Sequence, residues 1–197
     1  MTNYARLYRL GLTPWEGYGQ AAGESIAALL DREAAERSRP LGRALDLGCG
    51  RGQFTPELAR RGWDAVGIDN VPTAIRAAQR DATHAVTYVV GDVCGLSPVE
   101  VGSFDFFLDV GCFQGLGADQ RRAEGRGVTA LANAGATLLM LAFGPSRFRR
   151  LVGGVSREQV RDAFREWELV DVRPADTAGL GWPTNRTAPQ WYRLRQP

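Results

Sequence analysis

A chain of 197 residues, 44% of them apolar, is long enough to bury one well-packed core and short for two. Its 24 basic against 22 acidic residues leave a net charge of +2, too balanced to demand nucleic acid or an anionic membrane as partner. Three cysteines without C-x-x-C spacing (Cys49, Cys94, Cys112) argue against a disulfide framework and a zinc site, and the single histidine, His84, excludes a histidine-rich metal centre.

Residues 1–19 carry Tyr4, Tyr8, Gly11, Trp15, Tyr18 and Gly19, a composition that suits a lid over a bound ligand better than a strand. Ile26, Leu29 and Leu30 mark the apolar face of a helix over residues 21–36. After the linker Ser38-Arg39-Pro40-Leu41-Gly42, an apolar run enters the glycine-rich turn Gly48-Cys49-Gly50-Arg51-Gly52, followed by a helical pattern over residues 54–61. Asp64-Ala65-Val66-Gly67-Ile68 reads as a second strand ending in Asp69. Asn70 can then cap a helix with Pro72 in its first turn. Val86-Thr87-Tyr88-Val89-Val90 is a third strand closing on Gly91-Asp92, and a fourth begins at Phe104. A helix over residues 120–133 leads into a strand over residues 136–143, apolar throughout as a strand covered on both faces must be. Ser156-Arg157-Glu158-Gln159 has the capping-box pattern and opens a helix through Phe164, and residues 169–172 and 190–194 read as a closing antiparallel pair. The alternation of helix and strand predicts an α/β fold with a doubly wound sheet in a single domain. No apolar stretch approaches the ~20 residues that span a bilayer and there is no apolar signal core, so a soluble, cytoplasmic protein is expected.

The chemistry concentrates at the strand ends. Glycines in the 48–52 turn permit positive φ and close approach of a ligand to the backbone, as in a nucleotide-type cofactor site. An acid at position 46 would repel the pyrophosphate of NAD or FAD and suit a cationic ligand instead. S-adenosylmethionine (SAM), with an ammonium and a sulfonium and no phosphate, meets that requirement. Asp69 lies about 20 residues beyond the first glycine, the spacing at which an acid accepts from ribose hydroxyls. Asp92 can accept from an adenine amino group while the Val93 N–H donates to the ring. A lone Asp after a strand is more often a turn residue or helix cap. Three acids closing three separate strands in order make that the weaker account.

These residues resemble the class I SAM-dependent methyltransferases over residues 43–143. The resemblance implies a Rossmann-like seven-stranded sheet of order 3-2-1-4-5-7-6 with the last strand antiparallel. It matches residues 45–52 to the glycine-rich cofactor motif, Asp69 to the ribose-binding acid and Asp92 to the adenine-binding acid. Phe104-Asp105-Phe106-Phe107-Leu108-Asp109-Val110-Gly111 matches the fourth-strand motif, whose end faces the methyl-transfer centre. The expected cofactor contacts are therefore Asp46, Gly48, Cys49, Gly50, Asp69, Asn70, Asp92, Val93 and Asp109. Residues 4–15, with the later Phe143-Gly144-Pro145, resemble the thiopurine, halide and tellurite methyltransferases, in which an N-terminal aromatic segment folds over the cofactor. Trp15 is the matching position, and the stretch 176–189 departs from that group. The implied layout is a lid and helix over residues 1–42, a cofactor-binding core over 43–143 and an acceptor-side part over 144–197.

Methyl transfer from a sulfonium is an in-line displacement that asks mainly for alignment and exclusion of water. A thiol, selenol or halide acceptor needs no base, whereas a phenol or amine needs one within hydrogen-bond reach. Asp109 and Asp119 are the nearest candidates, with Asp109 better read as capping the strand end or contacting the cofactor. His84, on the approach to the third strand, reads as a surface or loop residue. Trp15, Tyr18, Phe113, Phe148 and Trp182 are candidate walls for a planar acceptor, although core packing is the commoner fate of each. Arg147, Arg149 and Arg150 could hold an anionic acceptor or form a solvated loop. The expected protein is a small-molecule methyltransferase, monomer or homodimer, without metal, nucleic acid or membrane. The competing readings are a nucleic-acid amino-methyltransferase, counted against by Asp109-Val110-Gly111-Cys112 in place of an Asn/Asp-Pro-Pro-aromatic signature; an NAD-dependent oxidoreductase, counted against by Asp46; and a non-methylating protein that keeps the fold and cofactor.

Overall fold

Apolar strands need cover on both faces, and the arrangement of helices supplies it. The computed structural model describes residue 17 and residues 22–82, 86–144, 154–177 and 187–197. Helix α1 (Gly23–Ala35) precedes β1 (Arg43–Leu47), α2 (Thr55–Arg60), β2 (Asp64–Asp69), α3 (Pro72–Arg80) and β3 (Val86–Val90). A short α4 (Pro98–Val101), β4 (Phe104–Val110), α5 (Ala118–Leu131), β5 (Ala132–Phe143), α6 (Arg157–Ala163), β6 (Glu168–Pro174) and β7 (Pro189–Arg195) follow. The seven strands form one sheet of order β3-β2-β1-β4-β5-β7-β6. β1 to β5 pair in parallel, and β7 lies antiparallel between β5 and β6. This is the order that the family resemblance implied.

Two cores flank the sheet. On one side Val128 and Leu131 of α5 and Val160 and Ala163 of α6 pack against Leu45, Leu47, Phe107, Leu138 and Met140. On the other, Ile26 and Leu30 of α1 and Leu58 of α2 meet Ala44, Ala65, Phe106, Leu139 and Trp191. α5 and α6 approach so closely that a Cβ on Gly125 would overlap the Ala163 carbonyl oxygen and lie 2.7 Å from its carbon. α1 is tied to the sheet by polar bonds as well. Glu33, only 3% exposed, accepts from Arg193 Nε at 2.9 Å and from Arg37 Nε at 3.2 Å, and Arg37 Nη2 reaches Thr137 Oγ1 at 2.7 Å.

Three elements differ from the sequence reading. β5 begins at Ala132, directly after α5, and three extra residues bulge between the pairs Phe104–Ala132 and Phe106–Thr137, where Gly135 has φ +76°. Burial begins only at Ala136, so the apolar pattern marked the buried part of the strand and missed the irregular start, where Ala132 alone pairs with β4 before the bulge. α5 starts at Ala118, with Gln120 Oε1 accepting from the Gly117 N–H at 3.1 Å. Asn70 does not cap α3. The N-cap is Val71, which the following Pro72 holds extended, and the Val71 N–H is taken by Asp69 Oδ1 at 2.8 Å.

The expected lid over residues 1–19, apart from Gly17, lies outside the described residues, as do His84, Arg147, Phe148, Arg149, Arg150 and Trp182. No helix among the described residues is long and apolar enough to cross a membrane.

Candidate active site

The glycine turn leaves the carboxyl end of β1 with Gly48, Gly50 and Gly52 at φ +66°, +56° and +78°, conformations that an L side chain resists. Here the protein itself, not only a ligand, demands the missing side chains. A Cβ on Gly48 would sit 2.7 Å from Cys112 Sγ, and one on Gly52 would overlap the Tyr88 hydroxyl. The turn is closed internally: the Cys49 N–H donates to the Ile68 carbonyl at 3.0 Å and the Gly52 N–H to the Cys49 carbonyl at 2.9 Å. The Cys49 side chain packs with Ile75, Ala78 and Tyr88.

Asp69 ends β2 beside this turn. Its Oδ2 accepts from the Gly50 N–H at 2.9 Å and its Oδ1 from the Val71 N–H, so one carboxylate joins the turn to the start of α3. Each oxygen retains a lone pair for a further donor. Burial raises its pKa and the two amides oppose the rise. Asn70 next to it is exposed. Beyond β3, Asp92 is also exposed, and its Oδ1 accepts from the Cys94 N–H at 2.9 Å. Val93 turns its side chain into the core.

Asp46 does not face outward from the turn. Strand alternation directs it into the sheet, where it is 2% exposed and accepts from the Thr55 hydroxyl at 2.6 Å. Burial pushes its pKa up to about 7; the Thr55 hydroxyl pulls it down, and the charges of Asp109 and Asp69 push it further up. With Asp109 and Asp69 both acting on Asp46, this end of the sheet carries a negative potential. A cation placed here stabilises the ionised forms, whereas a phosphate adds to the repulsion.

Asp109, at the end of β4, is fully buried and stands in register with Leu47. Its two oxygens accept from the Cys112 and Phe113 N–H groups at 2.8 and 2.9 Å, so it caps the turn after the strand. Of the acceptor-side candidates, Phe113 belongs to the core: it is 0% exposed, with its ring 5.8 Å from Phe164 and 5.2 Å from the Arg121 guanidinium. Asp119 is exposed on the first turn of α5 and paired with Arg122. Sequence reasoning missed Thr55, Tyr88 and Gly67, whose side of β2 has no room for a Cβ because Thr55 Oγ1, Tyr88 Cδ1 and Cys49 Sγ would lie within 2.9 Å of it. It also missed Arg121 and Glu124. Their signal was visible, as both occupy the stripe of α5 that continues into Val128 and Leu131.

A methyltransferase domain model matches residues 45–139, the stretch that contains every strand-end acid described above. The 2-heptyl-1-hydroxyquinolin-4(1H)-one methyltransferase of Mycobacteroides abscessus is 31% identical over 171 residues, which are 82% of this chain and 71% of that protein. Among solved structures, an N-methyltransferase of Bradyrhizobium japonicum WM9 in complex with S-adenosyl-L-homocysteine superposes with TM-score 0.71 at 22% identity, covering 88% of this chain and 87% of that one. The magnesium protoporphyrin IX methyltransferase of Synechocystis PCC 6803 superposes with TM-score 0.68 at 16% identity over 100% and 86% of the two chains. At such identities the two superpositions speak for the fold alone. The narrower resemblance to thiopurine, halide and tellurite enzymes rests largely on residues 4–15, outside the described residues. Glycine turn, strand-end acids and sheet order agree with the sequence relationship, and the chain belongs to the class I SAM-dependent methyltransferases.

Proposed function

We propose that this enzyme methylates the hydroxyl oxygen of a small, planar, hydroxylated heteroaromatic compound. The observation that carries the reading is the 31% identity, over 82% of the chain, to a protein whose substrate is a hydroxyquinolone. The chemistry supports it. Asp109, the carboxylate nearest the end of β4, already accepts two N–H bonds and is sealed from solvent, so it is a poor base for a neutral phenol or an ammonium. An acceptor whose hydroxyl ionises readily avoids that requirement.

When bound, SAM supplies an electrophilic methyl group on a sulfonium. Asp69 would hold the ribose hydroxyls, and Asp92 and the Val93 N–H the adenine. Gly48, Cys49 and Gly50 would face the remainder of the ligand, with Asn70 beside the ribose, while Asp46 and Asp109 bias the pocket toward a cation. The acceptor would give up its proton to water, so that this chain's residues need only align its oxygen with the sulfonium methyl and exclude bulk solvent; S-adenosylhomocysteine (SAH) is the spent form of the cofactor. Trp15, Tyr18, Arg147 and Trp182 remain our proposed acceptor contacts, in a single domain with residues 1–42 as lid and helix. We read the protein as a cytoplasmic monomer or homodimer that needs neither nucleic acid nor membrane.

A methyl-donor assay across hydroxyquinolones, phenols, amines, thiols and halides tests the acceptor. Hydroxylated heteroaromatics should exceed thiols and halides by at least about tenfold in kcat/KM, a gap of about 1.4 kcal/mol, and a reversed order overturns the assignment. SAH should bind at least about tenfold more tightly than NAD by calorimetry. Asp69→Asn should weaken SAH by about 2 kcal/mol. It should also lower the melting temperature, because the amide can accept from only one of the Gly50 and Val71 N–H groups. Unchanged affinity in a folded variant would place the ribose elsewhere.

A further inference from the structure

Glu124 lies on α5 beneath the segment that follows β4. It is 0% exposed, and neither of its carboxyl oxygens meets a donor from the protein. The nearest charge it faces is another buried carboxyl group, Asp109. Two buried carboxylates facing each other without a donor between them repel, so one of the two must carry a proton. Asp109 is the ionised member, because both its oxygens already receive N–H groups from Cys112 and Phe113, whereas Glu124 receives none.

The surroundings leave that proton no other role. Arg121, one turn earlier on α5, spends its guanidinium on the Phe113 carbonyl at 3.1 Å and the Gln114 carbonyl at 3.0 Å. Cys94, from the turn after β3, gives its thiol to the Gln120 carbonyl at 3.7 Å, and Asp92 faces the pair with a further negative charge. On the other side, Gln114 Oε1 takes the Phe143 N–H at 2.9 Å. Residues 111–116 are thus pinned from α5, β4 and β5 together. What they press against is the cofactor turn, since Cys112 fills the space that a Gly48 side chain would need.

We infer that Glu124 is a positioning residue: its buried carboxyl donates an O–H to Asp109 and so holds the 111–116 segment against Gly48 in the shape that binds the cofactor. Burial and the Asp109 charge both hold the Glu124 proton well above the usual carboxylate range. Losing it at alkaline pH sets two buried charges against each other under the cofactor site, and affinity falls. Asp46 acts in the opposite sense, since its ionisation near pH 7 favours a cationic ligand and affinity rises with pH there. The two limbs separate by substitution.

The inference rests on SAM binding, and the test separates the two. SAH is titrated calorimetrically into wild type, Glu124→Gln and Glu124→Ala from about pH 6 to about pH 9. The ammonium of SAH titrates alike in all three, so differences between profiles report the protein. Glu124→Gln keeps a donor that has no proton to lose. It should stay within about twofold of wild type at neutral pH and lose less affinity than wild type as pH rises, whereas Glu124→Ala should be weaker by about tenfold at neutral pH. A Gln variant as weak as Glu124→Ala, or an Ala variant that binds as wild type does, overturns the role of Glu124. No SAH binding by wild type at any pH overturns the cofactor site instead. Should the variants not fold, infrared difference spectra of Asp46→Asn, which removes the other buried carboxyl that carries a proton near pH 7, decide at neutral pH: a protonated-carboxyl stretch that shifts in heavy water is expected, and its absence overturns the proposal.

Discussion

Gly48→Ala is expected to reduce kcat/KM for methyl transfer by about a hundredfold, with SAH affinity falling in parallel. Two costs add. An alanine at φ +66° pays roughly 1–2 kcal/mol for the left-handed conformation. Its Cβ also enters the space of Cys112, 2.7 Å from Sγ and 2.8 Å from Cβ, which adds about 1–3 kcal/mol of overpacking. About 3 kcal/mol corresponds to the stated factor. The causes can be told apart because only one depends on Cys112. Adding Cys112→Gly removes the overlapping atoms and should restore part of the affinity while the conformational cost persists. A double variant no better than Gly48→Ala would show that the steric contact is unimportant.

Gly125→Ala should destabilise the fold by about 3 kcal/mol, lowering the melting temperature by roughly 6–12 °C for a domain of this size. Helix propensity alone predicts a gain near 1 kcal/mol, so the sign of the result is informative. The added methyl meets backbone, the carbonyl group of Ala163, which cannot rotate aside, and α5 and α6 must separate. That separation opens the core of Val128, Val160 and Phe164. Urea denaturation should give a lower midpoint with an unchanged slope. A midpoint at or above that of wild type would show that the two helices can part at no cost.

The strands were legible because burial on both faces writes itself as unbroken apolar runs, and the acids closing them were legible because each is the first charge after such a run. Asp69 stands where its spacing from the glycine turn put it. The partners were not legible. Thr55 meets Asp46 across a turn whose geometry depends on three positive-φ glycines, and Glu124 meets Asp109 only once α5 is laid on β4. The start of β5 escaped for a different reason: Ala132 pairs and the next residues bulge without being fully buried, and hydropathy reports burial. Asn70 does not cap α3 because Val71 takes the N-cap position, its N–H held by the buried Asp69 carboxylate two residues upstream while the Asn70 side chain stays exposed. Phe113 illustrates the converse, an aromatic near a site that the core claims.

The sheet order sets a schedule for making the protein. β6 is translated before β7, yet its one partner in the sheet is β7, which also covers the outer edge of β5. During synthesis two strand edges, one of them the apolar β5, therefore wait with open hydrogen-bonding groups for the last strand to arrive. The bond from Glu33 to Arg193 spans 160 positions and closes at the same late moment, so this part of α1's polar anchor forms only then. Residues 43–131 can form their parallel half early, since β1 to β4 need nothing translated after them apart from β5. β7 is the wedge that converts this half-built nucleotide fold into a finished one.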